Sequence, residues 1–116
     1  MEFKGKHLFL ALETDFNLNK TEYLRYLILR AINKTGANIE GLKEKNFEPQ
    51  GYSLVVLISE SHASLHTFPE KKSIFIDYFT CGEIGVEGFR KLVLEELKPS
   101  KILEDNVIIR PNGGIE

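Results

Sequence analysis

Three apolar stretches of strand length, Tyr52–Ser59, Ser64–Phe68 and Ser73–Phe79, follow one another with breaks too short to hold a crossover helix. Parallel neighbours need a connection of about a dozen residues or more, so these stretches fold back on one another as antiparallel strands. Their composition fits. Tyr52–Ser59 is rich in Val, Leu and Ile, Ser64–Phe68 alternates until Pro69 breaks it, and Ile74, Ile76 and Tyr78 share one face of the third stretch. The charged Glu70-Lys71-Lys72 triplet after that proline reads as a hairpin loop.

The flanking segments supply what covers such a sheet. Asn19 can cap a helix, Glu22 stands three residues on, and Leu24, Leu27, Ile28 and Ala31 recur at helical spacing until Gly36 supplies a stop. A second helix runs from Val86 to Lys98, with Phe89, Leu92, Val93 and Leu97 on one side and Pro99 at its end. His7–Leu12 reads as a first strand, Lys101–Arg110 as the last, and a less regular strand falls between Asn38 and Phe47, with Pro49 and Gly51 as the turn that follows. The expected fold is α+β: a two-layer sandwich, a mostly antiparallel sheet with two helices on one face. No linker or repeat interrupts residues 1–116, which read as a single domain with Pro111–Glu116 as a loose tail.

Charge and hydropathy remove several functions. A net charge of -2, from 15 basic and 17 acidic residues scattered along the chain, offers no cationic face for a phosphate backbone, so no nucleic-acid partner is expected. The longest aliphatic run, Leu54–Ile58, is far below the ~20 residues of a bilayer-spanning helix, so no membrane partner is expected either. A single cysteine, Cys81, excludes an intrachain disulfide and fits a reducing compartment, which points to the cytoplasm.

Chemistry-bearing residues cluster. His62 and His66 lie within five residues of Ser61, and on a strand His62, Ser64, His66 and Phe68 share a face. Structural histidines, a metal pair at His62 and His66, or a Ser61-His66-Asp77 hydrolase are all open from these residues. The four-residue spacing converges on a metal from a helix rather than from a strand, and no G-x-S-x-G elbow is present. Cys81 is either a small buried hydrophobe or, placed where a strand gives way to a loop, an acid or base that reaches a cleft.

Taken in order, Ser59-Glu60-Ser61-His62-Ala63-Ser64-Leu65-His66-Thr67-Phe68-Pro69-Glu70 and Asp77-Tyr78-Phe79-Thr80-Cys81-Gly82 closely resemble the signature of the prokaryotic-type, pyruvoyl-dependent S-adenosylmethionine decarboxylase proenzymes. Gly5-Lys6-His7 and Phe47-Glu48-Pro49-Gln50-Gly51-Tyr52-Ser53 resemble it too. The resemblance implies self-cleavage between Glu60 and Ser61, giving a beta chain of residues 1–60 and an alpha chain of residues 61–116. It implies that Ser61 becomes the pyruvoyl group, which forms a Schiff base with the substrate amine, so that no external cofactor is needed, and no metal-ligating residues are expected in the site. It assigns His66 to taking the proton during processing, Ser53 to the oxygen on which charge develops, and Cys81 to protonating the product carbon. Phe47 and His66 would stack on adenine, Phe68 would form an aromatic wall, and Glu70 would hold the ribose hydroxyls.

The implied activity is decarboxylation of S-adenosylmethionine, which supplies the aminopropyl donor for spermidine and other polyamines, by a homodimer of cleaved protomers. The chain departs from the family pattern at Phe68, where tryptophan is usual, at Ala63, where a larger aliphatic is usual, and at Lys71-Lys72, where Tyr-Gly is usual. These departures motivate two alternatives: a pyruvoyl decarboxylase of a basic amino acid such as arginine, and a non-catalytic regulatory homologue.

Overall fold

The computed structural model describes residues 4–81 and 83–111. Gly82 and residues 112–116 of the expected tail lie outside the described residues. In chain order the elements are β1 (Gly5–Glu13), α1 (Thr21–Lys34), β2 (Ile39–Asn46), β3 (Tyr52–Ile58), β4 (Ser61–Phe68), a 3-10 turn (Pro69–Lys71), β5 (Ser73–Cys81), α2 (Glu87–Leu97) and β6 (Lys101–Arg110). The strands form one six-stranded sheet in the order β2-β3-β4-β5-β1-β6. Every neighbouring pair is antiparallel.

Side-chain alternation explains why the helices lie on one side. Leu8, Leu10, Leu12, Leu54, Val56, Ile58, Ala63, Leu65, Ile74, Ile76 and Tyr78 point one way and are buried with Leu24, Leu27, Ile28, Ala31 and Ile32 of α1 and Phe89, Leu92, Val93 and Leu97 of α2. Removing each such aliphatic side chain from water is worth about 1.5–3 kcal/mol, so this single layer accounts for most of what fixes the sheet beneath the helices. Tyr78 stacks on Phe89 with ring centroids 4.4 Å apart, and its hydroxyl meets Thr35 Oγ1 at 2.7 Å, which gives the buried phenol a partner. Thr14 Oγ1 donates to the carbonyl of Leu97 at 2.5 Å and so ties the exit of β1 to the end of α2.

Local details differ from the sequence expectation in two places. The cap of α1 is Lys20, without a side-chain cap bond, because the Asn17 side chain accepts from the Asn19 backbone at 2.9 Å and winds the chain into a turn first. β4 begins at Ser61 rather than Ser64, because a two-residue turn lets Ile58 pair directly with Ser61. Gly36, at φ +83°, ends α1 as expected. Among the described residues no helix is long and apolar enough to cross a membrane.

Candidate functional site

The turn between β3 and β4 consists of Ser59 and Glu60, and Glu60 adopts φ 63°. The left-handed region is costly for a residue with a Cβ, and glycine is its usual occupant. Ser59 braces the turn: its backbone donates to the Asn38 carbonyl at 3.0 Å and its hydroxyl to Glu40 Oε2 at 2.5 Å. Ser61 follows at once. Paired with Ile58, it has the parity of Ala63 and points to the helix side, whereas His62, Ser64, His66 and Phe68 lie on the open side. Carried one step past the His62–Phe79 pair, the register sets Ser61 beside Thr80, with Cys81 next. Cys81 is a free, partly exposed cysteine at the end of β5 and pairs with Gly5.

The other end of the open face holds a cavity of about 590 Å³, lined among others by Phe47, Ser53, His66, Phe68, Glu70 and Phe75. That volume suits a nucleoside-sized ligand. Phe68 meets Phe75 edge-on, with centroids 5.5 Å apart, and Phe47 is held by its backbone N–H donating to the Gly51 carbonyl at 2.9 Å. Ser53 and His66 are opposite one another on β3 and β4, and Ser53 Oγ lies 2.8 Å from His66 Nδ1. Behind the cavity, buried Tyr52 donates its hydroxyl to Glu44 at 2.5 Å. Burial, followed by that bond to a carboxylate, pushes the phenol well above its ordinary range. Lys71 and Lys72 sit at the exposed hairpin, where Lys72 Nζ reaches Asp15 at 3.3 Å rather than the cavity.

The residues expected to act together therefore fall into two groups. Ser53, His66, Phe47, Phe68 and Glu70 surround one cavity, while Glu60, Ser61 and Cys81 lie at the opposite end of the sheet. Five residues of strand at ~3.3 Å each put His66 roughly 17 Å from Ser61 along β4. Nor does the chain assemble a Ser61-His66-Asp77 triad: His66 Nδ1 faces Ser53, and Asp77 is bonded to His7 and Ser64.

Between the two ends lies a cluster that sequence reasoning missed. Asp77 Oδ2 is 2.6 Å from His7 Nε2 and 3.5 Å from His62 Nε2, and Ser64 donates to Oδ1. Arg110 Nη1 lies 3.1 Å from His7 Nδ1. An arginine can only donate, so His7 Nδ1 is an acceptor and its proton sits on Nε2, directed at Asp77. His7, His62 and Asp77 are also the group of possible metal ligands found among the described residues. An ion there would strip the Nε2 proton and leave His7 facing Arg110 with a second donor, so the arrangement favours a hydrogen-bond chain. No local motif announces it, because His7 and Asp77 are 70 residues apart and meet only because β1 inserts beside β5.

Residues 11–107 match the family described as S-adenosylmethionine decarboxylase. The chain belongs to this family. It is 40% identical over 80 residues to an S-adenosylmethionine decarboxylase proenzyme of Bacillus cereus, covering 67% of this chain and 65% of that one. With the proenzyme of Brevibacillus brevis it shares 42% identity over 85 residues, covering 72% and 64% respectively. The matched segment thus spans just under two thirds of these relatives' length. The adenosylmethionine decarboxylase of Aquifex aeolicus superposes with a TM-score of 0.81 at 24% identity, over 100% of this chain and 96% of that one. A Trypanosoma brucei AdoMetDC monomer superposes with a TM-score of 0.61 at 17% identity, over 91% of this chain but 45% of that one. Both likenesses concern the fold.

Proposed function

We propose that this S-adenosylmethionine decarboxylase homologue cleaves itself between Glu60 and Ser61 and then decarboxylates S-adenosylmethionine to the aminopropyl donor used in polyamine synthesis. The observation that carries the reading is the left-handed Glu60 immediately before Ser61, a strained residue at the bond to be broken. Ser61 Oγ attacks the Glu60 carbonyl carbon and the Ser61 nitrogen leaves, which converts amide to ester. Removal of the Ser61 α proton then expels the Glu60 carboxylate, and water replaces the nitrogen of the remaining dehydroalanine, releasing ammonia and leaving a pyruvoyl group.

The Ser53–His66 pair suits the two remaining tasks with one tautomer. If Nδ1–H donates to Ser53 Oγ, Nε2 keeps its lone pair for the α proton and the Ser53 hydroxyl hydrogen is left for the developing oxyanion. When formed, the pyruvoyl group supplies an electron sink for carbon dioxide loss. Cys81 then delivers a proton to the product carbon, while Phe47, His66, Phe68 and Glu70 hold the nucleoside.

Because Ser53 and His66 lie far from Ser61 of the same chain, the working form in this reading is a homodimer. The open face exposes Val55, Leu57, Phe68 and Phe75 at 47%, 60%, 44% and 43%, an apolar patch of the kind that marks an interface. A twofold axis running between two facing sheets and across their strands lays the Ser61 end of one copy over the partner subunit's His66.

The test is an intact-mass measurement on purified chain. It should show fragments 1–60 and 61–116, the latter with a pyruvoyl terminus, together with carbon dioxide release from S-adenosylmethionine and none from arginine. A Ser61→Ala chain that still splits at this bond overturns the reading.

A further inference from the structure

We infer that Arg110 is the residue that receives the α-carboxylate of the substrate. The inference rests on the decarboxylase reading above and adds a specificity-determining group at the Cys81 end of the open face.

Three strands carry it. Gly5 of β1 pairs with Cys81 of β5 on one side and with Arg110 of β6 on the other, so the three form one row across the sheet. Directly opposed residues share a face, and that row opens on the side of His7 and Phe79. Cys81 and Arg110 are two strand spacings apart, roughly 10 Å between Cα atoms, with a notch between them that only glycine leaves clear. A Cβ on Gly5 would fall 2.6 Å from the Phe79 ring and 2.7 Å from the Thr80 carbonyl. The Phe79 ring therefore lies in the notch, and the guanidinium rests on it, with Cζ 4.8 Å from the ring centroid. His7 Nδ1 fixes one Nη1 hydrogen, and His7 is itself anchored on Asp77. Among the described residues Arg110 makes no ion pair with a carboxylate.

A guanidinium so oriented presents its remaining donors as a fork, which matches a carboxylate. In the proposed reaction the substrate's amino group is held at residue 61 and its α carbon must reach Cys81. Its nucleoside extends away into an aromatic cavity. The carboxylate is then the charged group left over, beside the row that ends at Arg110.

Such a contact has a kinetic signature. The carboxylate loses its charge as carbon dioxide departs, so the ion pair stabilises bound substrate more than the transition state. In Arg110→Gln, KM for S-adenosylmethionine should rise about ten- to a hundredfold, the usual worth of a charge-assisted hydrogen bond, while kcat holds or rises. Calorimetric affinity for the decarboxylated product, which has no carboxylate, should be unchanged, and Arg110→Lys should recover part of the KM. Equal weakening of substrate and product, a fall in kcat at constant KM, or failure of Arg110→Gln to cleave at Ser61 would each assign Arg110 to holding Phe79 or the turn and overturn the inference. A wild-type chain that neither cleaves nor releases carbon dioxide instead removes the underlying reading.

Discussion

At the scale of residues, Glu60 is where conformation and chemistry meet. Its φ of 63° costs on the order of 1 kcal/mol that glycine would not incur. In a Ser61→Ala background, Glu60→Gly should therefore raise the melting temperature by roughly 4 °C. With Ser61 present, the same change should slow cleavage about fivefold, since strain relieved in the uncleaved chain no longer assists the attack. A mass-spectrometric time course measures this, and an unchanged rate would show that the turn's strain is not used. The sequence shows which residues flank the bond but not their conformation. The alternation that marks Ser64–Phe68 does not reach back to the turn, and it is the Ile58–Ser61 pairing that extends β4 to Ser61. Ser53 and His66 were legible as candidates, and their contact follows from hairpin register. His7, Asp77 and Arg110 meet only through the sheet order, which single-chain patterns do not encode.

At the scale of elements, both helices and β1, β3, β4 and β5 were legible because each has a buried side to repeat or an apolar run to bury, whereas β2 and β6 are exposed along nearly their whole length and were marked mainly by the breaks that bound them. The face shared by Ile74, Ile76 and Tyr78 in β5 is the one that meets the helices. Where β6 goes was not legible, since its residues are almost all exposed and its partner β1 lies at the other end of the chain. One ion pair helps set it. Arg90 Nε on α2 donates to both Asp105 oxygens on β6, at 3.0 and 2.9 Å. The hydrogen bonds from Arg90 hold the Asp105 carboxyl below its ordinary range despite some opposing burial. A carboxylate whose folded pKa is depressed contributes stability above its unfolded pKa and loses that contribution as pH falls through the folded value. Asp105→Asn should lower the stability at neutral pH by the ~1 kcal/mol or less typical of a partly exposed pair, read from the melting temperature. The difference from wild type should close on acidification below about pH 4, where the unpaired carboxyl titrates. A gap that persists at low pH would mean that the residue acts by packing rather than by charge.

At the scale of the whole molecule, the helices cover one side of the sheet and leave the other side open with unlike ends, Ser53 and His66 at one and Cys81, close to the Glu60–Ser61 turn, at the other. Processing within one chain would need the imidazole to cross roughly 17 Å of rigid, paired strand. Processing across a twofold interface would need no such displacement along the strand, because reversing the strand direction brings unlike ends together. The two routes give opposite results when crippled chains are combined. Ser61→Ala lacks the nucleophile and His66→Ala lacks the base, so neither should cleave alone. Co-expressed in equal amounts and pairing at random, about half of the His66→Ala chains meet a Ser61→Ala partner that still supplies the imidazole. Those chains, and only those, should be cleaved before Ser61, which intact mass resolves because the two chains differ in mass. Carbon dioxide release should appear in the same mixture, from the composite site that pairs an intact Ser61 and Cys81 with an intact Ser53 and His66. No cleavage in the mixture would place the base within the chain that it processes and leave the open face for some other partner.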